Sequence, residues 1–259
     1  MTIVATHAPG TFCWADLGTP DAADAKRFYA GLFGWKYQDM PMGEGAAYTM
    51  FELGGNWVAA LYPQDSQQQA QGIPPSWLSY IAVESADHTA ERTRDLGGAV
   101  LMEPFDVYEV GRMAVVQDPT GAVVALWEAR THPGAGVVGE PGSLCWNELN
   151  TGEPDRAAEF YSRLLSWEPE KQPMGDFVYT YFKQGEQRNG GMMPTTSEMG
   201  AIPPHWAVYF AVDDCDGKAV RAATLGGKVL VPPTDVPGVG RFSILQDPQG
   251  ASFAIIRLG

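Results

Sequence analysis

Two tripeptides carry the residues best placed to do chemistry: Trp14-Ala15-Asp16 near the start of the chain and Trp146-Asn147-Glu148 beyond its middle. In an extended strand, residues two apart share a face, so each indole lies beside a carboxylate. A carboxyl buried against an indole loses hydration, its pKa rises, and it can hold or pass a proton near neutral pH. Asp16 and Glu148 are therefore the candidate catalytic groups. A register slip of one residue would turn Cys13 and Cys145, with Ala15 and Asn147, to that face instead.

Arg112 and Arg241 each follow a glycine at the start of a strand. They are candidates for holding an anionic ligand group, or for an ion pair with a nearby carboxylate. The four histidines, His7, His88, His132 and His205, form no spaced pair of the kind a metal needs. His205 precedes a strand and reads as a pocket-rim or capping residue. Cys13, Cys145 and Cys215 form no CxxC pair and read as reduced thiols of a cytoplasmic protein.

Both tripeptides belong to a long internal repeat. Gly10-Thr-Phe-Cys-Trp-Ala-Asp-Leu17 returns as Gly142-Ser-Leu-Cys-Trp-Asn-Glu-Leu149, and Phe28-Tyr29 and Trp35 return as Phe160-Tyr161 and Trp167. Tyr48-Thr-Met-Phe51 returns as Tyr179-Thr-Tyr-Phe182, and Pro74-Pro-Ser-Trp77 as Pro203-Pro-His-Trp206. The turn Gln117-Asp-Pro-Thr-Gly-Ala122 recurs as Gln246-Asp-Pro-Gln-Gly-Ala251. Trp14 and Trp146 are 132 residues apart, Trp77 and Trp206 only 129, so the first copy holds a short insertion at the Gln-rich stretch 65–72. Residues 131–142, THPGAGVVGEPG, form a Pro/Gly-rich linker between the copies.

The elements that position these residues follow from local pattern. Phe12–Leu17 reads as a short apolar strand. Thr19-Pro20-Asp21 reads as a helix start, with a hydroxyl N-cap and Pro at the first helical position. Ala25, Phe28, Tyr29 and Leu32 then fall on one face. Strands follow near 47–53 and 56–62. The second half predicts a strand over 77–83, a helix over 87–96 closed by Gly97-Gly98, and strands near 113–117 and 123–128. Asp118-Pro119-Thr120-Gly121 fits a type I turn.

Apolar residues make up 45% and charged residues 19%, enough for a real core, with 30 Gly and 20 Pro spread as turn punctuation. The net charge of −14 repels nucleic-acid phosphates and anionic lipid. It suits a cationic small ligand, or serves solubility alone. Residues 1–10 lack the basic and apolar regions of a signal peptide, and no apolar run reaches bilayer length.

The Trp-x-Asp/Glu-Leu strand, the Asp21…Phe28-Tyr29…Leu32-Phe-Gly-Trp35 helix and the Asp-Pro-x-Gly turn together resemble the glyoxalase/bleomycin-resistance/dioxygenase (vicinal oxygen chelate) superfamily, over nearly the whole chain. The resemblance implies an α+β fold of two tandem glyoxalase-like domains, 1–131 and 141–259, each of paired βαβββ modules enclosing a cup. Catalytic members hold a divalent metal in that cup. Matched position by position, the ligand sites fall on Trp14, Ala125 and, within one residue, Leu78; in the second copy they fall on Trp146, Ala254 and Ala207. None of these side chains ligates a metal, so the expectation is no metal and no cofactor.

The cups are then expected to offer an indole floor, one carboxylate, and walls from Tyr48, Trp77, Tyr179, Tyr181 and Trp206. The same aromatics would serve equally as core. The leading expectation is metal-free binding of a largely apolar or aromatic, cation-bearing metabolite or antibiotic. The alternative is a metal-independent acid/base enzyme of the isomerase, epimerase or cyclase kind. A metal-dependent lyase or dioxygenase ranks third, and a protein-interaction scaffold with filled cups fourth. Expected partners are a small molecule, neither nucleic acid nor membrane, and for the assembly a pseudo-dimeric monomer or a homodimer.

Overall fold

The computed structural model describes residues 3–43, 46–196 and 202–259. The first copy runs β1 (Phe12–Thr19), α1 (Ala22–Phe33), β2 (Lys36–Gly43), β3 (Ala46–Leu53), β4 (Asn56–Pro63), then a short α2 (Ser66–Ala70) in the insertion. Its second module is β5 (Ser76–Ala82), α3 (Ala86–Asp95), β6 (Ala99–Val107), β7 (Gly111–Gln117) and β8 (Val123–Ala129). The second copy repeats this as β9 (Leu144–Thr151), α4 (Pro154–Leu165), β10 (Glu168–Met174), β11 (Phe177–Gln184) and β12 (Gln187–Pro194). It closes with β13 (His205–Ala211), α5 (Cys215–Thr224), β14 (Lys228–Val236), β15 (Gly240–Gln246) and β16 (Ser252–Leu258).

Each copy is one eight-stranded mixed sheet, ordered β2-β3-β4-β1-β5-β8-β7-β6 and, in parallel fashion, β10-β11-β12-β9-β13-β16-β15-β14. The two modules of a copy meet at the antiparallel pair β1–β5 or β9–β13. Within a module the first and fourth strands are parallel, as for β1–β4 and β5–β8. The outermost strands β2 and β6 escape sequence patterning because they are exposed edges that carry Pro41 and Pro104 instead of alternating apolar residues. Helix α1 also starts later than its sequence suggests. Asp21 is the N-cap, its carboxylate accepting from the Asp24 amide, while the Thr19 hydroxyl accepts from the Asp21 amide.

One face of each sheet carries the helices, and the two copies pack through those faces. The apolar face of α1 (Phe28, Tyr29, Leu32) shares a core with Phe210, Phe253 and Ile255 of the second copy. Reciprocally, Phe160, Tyr161 and Leu164 of α4 share one with Ile81, Val116 and Leu126 of the first. Crossed hydrogen bonds reinforce the arrangement. Tyr29 donates to Asp247 at 3.0 Å and Tyr161 to Asp118 at 3.0 Å, so each Asp-Pro-x-Gly turn is held by the other copy. The Trp35 indole donates to the Gly142 carbonyl at 2.7 Å, and Trp167 to Gly10 at 2.8 Å. No helix among the described residues is long and apolar enough to cross a membrane.

Candidate functional site

The face of each sheet away from the helices is the cup. In β1, Ala15 and Leu17 enter the shared core, and alternation sends Trp14 and Asp16 to the cup. Asp16 pairs with Leu78 across β1–β5 and with Ala60 across β1–β4, placing its carboxylate at the junction of the modules. Asp16 is 2% exposed, and its Oδ2 accepts from Tyr80 at 2.7 Å and from Tyr48 at 2.9 Å. The Trp14 indole in turn donates to the Tyr48 oxygen at 3.0 Å.

The second cup repeats the chain of groups. The Trp146 indole donates to Tyr179 at 3.0 Å, and Tyr179 donates to Glu148 Oε2 at 2.8 Å. Tyr209 donates to Glu148 Oε1 at 2.9 Å. An indole, two phenols and a buried carboxylate thus recur at equivalent positions.

Burial sets the protonation of both acids. It pushes Asp16 up to about 7, the Tyr80 and Tyr48 hydrogen bonds recovering only part of the cost. Burial also raises Glu148, opposed by Tyr179, Tyr209 and Asn150. The two acids differ in how they are satisfied. Both phenols of the first cup fall on Asp16 Oδ2, leaving the buried Oδ1 without a partner. Glu148 takes one phenol on each oxygen.

The larger difference lies above the indoles. The linker crosses the first cup: the His132 ring packs edge-on against Trp14 at 4.7 Å, and the Trp127 indole donates to the His132 carbonyl at 3.0 Å. Burial lowers the His132 pKa to about 4, so the ring is neutral there. Trp14 is consequently 3% exposed, whereas Trp146 and Cys145 are half-buried and open. Tyr181 flanks Trp146 at 6.1 Å and carries the Arg188 guanidinium 3.8 Å above its ring.

Of the residues expected at the site, the structure brings Trp14, Asp16 and Tyr48 together in one cup, and Trp146, Glu148, Tyr179 and Tyr181 in the other. Trp77 and Trp206, expected as cup walls, face the opposite way. Their indoles donate to Tyr29 at 2.9 Å and Tyr161 at 2.8 Å inside the shared core. Arg112 is tied to Asp87 and Asp106, and Arg241 to Asp216 and Asp235, so the ion-pair alternative describes both. His205 is exposed at the start of β13, its Nδ1 2.8 Å from the Pro203 carbonyl oxygen. Tyr80 and Tyr209, which complete the carboxylate cradles, were not among the expected residues. Their signal was present: they share the 129-residue offset of Trp77 and Trp206 and lie an odd number of residues from them, on the other face.

A metal fits poorly. Each cup supplies one carboxylate engaged by two phenols, and no cluster of three or more His, Cys, Asp or Glu occurs among the described residues.

With this geometry in hand, the family follows. The chain belongs to the Glyoxalase/Bleomycin resistance protein/Dioxygenase superfamily, whose model matches residues 11–126 and 143–255. Among its relatives, the glyoxylase candidate CFP32 of Mycobacterium tuberculosis (strain CDC 1551 / Oshkosh) is 44% identical over 253 residues, covering 97% of this chain and 96% of CFP32. The anthracycline biosynthesis protein DnrV of Streptomyces peucetius is 39% identical over 264 residues, covering 97% of this chain and 94% of DnrV. The Mn(II)-bound glyoxalase of Novosphingobium aromaticivorans shares the fold at 17% identity, with a TM-score of 0.66 over 96% of this chain and 82% of that one.

Proposed function

We propose that this protein is a metal-free small-molecule binding protein that takes a largely apolar or aromatic ligand bearing a cationic group, and that the second cup is the working one. The observation that carries this reading is the Trp146–Tyr179–Glu148–Tyr209 chain beneath a half-buried indole. An indole offers an aromatic or cationic ligand a π-face, and a carboxylate beneath it offers a counter-charge. Glu148 is raised by burial, so a cation drawn against it would pull it back to the ionised form and release a proton. The relatives named for anthracycline biosynthesis agree with an aromatic ligand. The absence of a CxxC pair and the three free cysteines agree with a reducing, cytoplasmic setting.

The test is a thermal-shift screen of aromatic amines, including basic antibiotics, on wild type and Glu148→Gln. A ligand present at about a hundred times its Kd stabilises the fold by ~2.7 kcal/mol. A binder should raise Tm in wild type and lose that effect in Glu148→Gln. If no compound shifts wild type, or the variant responds equally, the reading fails.

The raised carboxylates favour one second reading, a metal-independent acid/base enzyme with Glu148 or Asp16 as the proton carrier. Under that reading Glu148→Gln binds the ligand but does not turn it over. Turnover that survives Glu148→Gln and Asp16→Asn together would remove it.

A further inference from the structure

In both copies the first and fourth strands of the leading module pair only along their later halves. Pairing starts at Asp16↔Ala60 in the first sheet and at Glu148↔Gly191 in the second. Three residues earlier the strands have parted, at Cys13 and Trp57 or at Cys145 and Arg188, and parted strands leave backbone groups in need of partners.

In the first copy the linker fills the gap. The Ala135 amide donates to the Cys13 carbonyl at 2.8 Å and the Gly136 amide to the Trp57 carbonyl at 2.8 Å. Only small residues fit there. A Cβ on Gly134 would stand 2.5 Å from the Cys13 carbonyl oxygen, and Ala135 is wholly buried. In the second copy, no described segment from outside the sheet donates to the carbonyls of Cys145 or Arg188. A cavity of about 410 Å3 lies there instead, lined by Cys145, Trp146, Arg188 and Asn189 of the second copy and by residues of the N-terminal segment such as Val4 and Thr6. That volume lies within the ~300–1,000 Å3 of small-ligand clefts. Asn189 stands where the filled gap has Val58, and its side chain is engaged by the first copy, Nδ2 donating to the Gly10 carbonyl at 3.2 Å.

We propose that the gap between β9 and β12 is a binding site for a short, extended peptide of small residues, seated as the linker is seated in the first copy. Two consecutive backbone amides donate to the carbonyls of Cys145 and Arg188. The cavity shares the Trp146 indole with the site proposed above, and the two proposals are told apart by their occupants, a peptide backbone here and an aromatic amine there.

The test is calorimetric titration of the whole protein with an acetylated, amidated peptide of the linker sequence 131–138, THPGAGVV. Saturable one-to-one binding is expected, with Cys145 protected from a thiol reagent. The same peptide N-methylated at its Ala and at the following Gly loses both donors and should bind about tenfold or more weakly. Arg112→Ala, in exposed ion pairs of the first copy, should leave binding of the unmodified peptide unchanged. Equal binding of the methylated peptide, or no saturation by the plain one, overturns the proposal. So does a protein dimer whose formation blocks the peptide, because the occupant would then be the linker of a second copy.

Discussion

Trp14 and Trp146 head the same hydrogen-bonded chain, yet one is sealed under His132 and the other is half-buried and lines the cavity at the β9–β12 gap. The carboxylates beneath them differ in a compensated way. Asp16 faces Ala60 across β1–β4, and Glu148 faces Gly191 across β9–β12. Lengthening the acid by one carbon is matched by shortening its strand neighbour by one. The match is obligatory in the second cup, since a Cβ on Gly191 would lie 1.9 Å from the Tyr179 oxygen. Duplication therefore preserved the position of the acid while freeing its length, and left one copy with its cup covered by the chain itself.

The largest expected effect of breaking this comparison is in Gly191→Ala. The added methyl must displace Tyr179 and its bond to Glu148, at about 3 kcal/mol, the upper end of overpacking costs, measured by urea unfolding. Ala60→Gly should show no such clash. Next comes Asp16→Glu, which puts the longer acid of the second cup over the alanine of the first and should cost about 1–2 kcal/mol. Adding Ala60→Gly to it should return most of that loss. A double-mutant cycle with no coupling would mean that the two pairs are not exchangeable units.

A smaller effect concerns pH. Asp16 is held near pH 7 in the fold, against roughly 3.9 in an unfolded chain. The folded value is raised, so the stability that the neutral acid contributes is complete below about pH 4 and lost as pH climbs to about 7. Glu148 acts in the same direction. Tm should therefore fall between pH 4 and pH 7, and Asp16→Asn should flatten that fall while retaining an oxygen for the two phenols. An unchanged slope would show that the carboxylate is ionised in the fold. The smallest effect belongs to Arg112→Ala. Its partners Asp87 and Asp106 are more than half exposed, and the change should scarcely move the urea midpoint, with cup ligands unaffected.

The repeat makes most of this architecture legible in the sequence itself. Equivalent residues at a near-constant offset set the two sheets, the linker and both Trp-x-acid pairs. Local patterning missed the edge strands, because a strand with solvent on both faces needs no apolar alternation. It also placed Trp77 and Trp206 in the cups. A tryptophan suits either face of a half-buried strand, and only the register with the neighbouring strand decides between them. The tyrosine cradle was hidden for the same reason: Tyr80 and Tyr209 matter through what they touch across β1 and β9, which no local window contains.

The crossed packing of helices has a consequence in time. Helix α1 is synthesised more than two hundred residues before the ring of Phe253 that closes over Tyr29 at 5.4 Å. Until then Phe28, Tyr29 and Leu32 lack their cover, and the hydroxyl of Tyr29 lacks its acceptor, Asp247. The first half of the chain must wait, partly uncovered, for the second, and its newborn form is the one most in need of protection from aggregation.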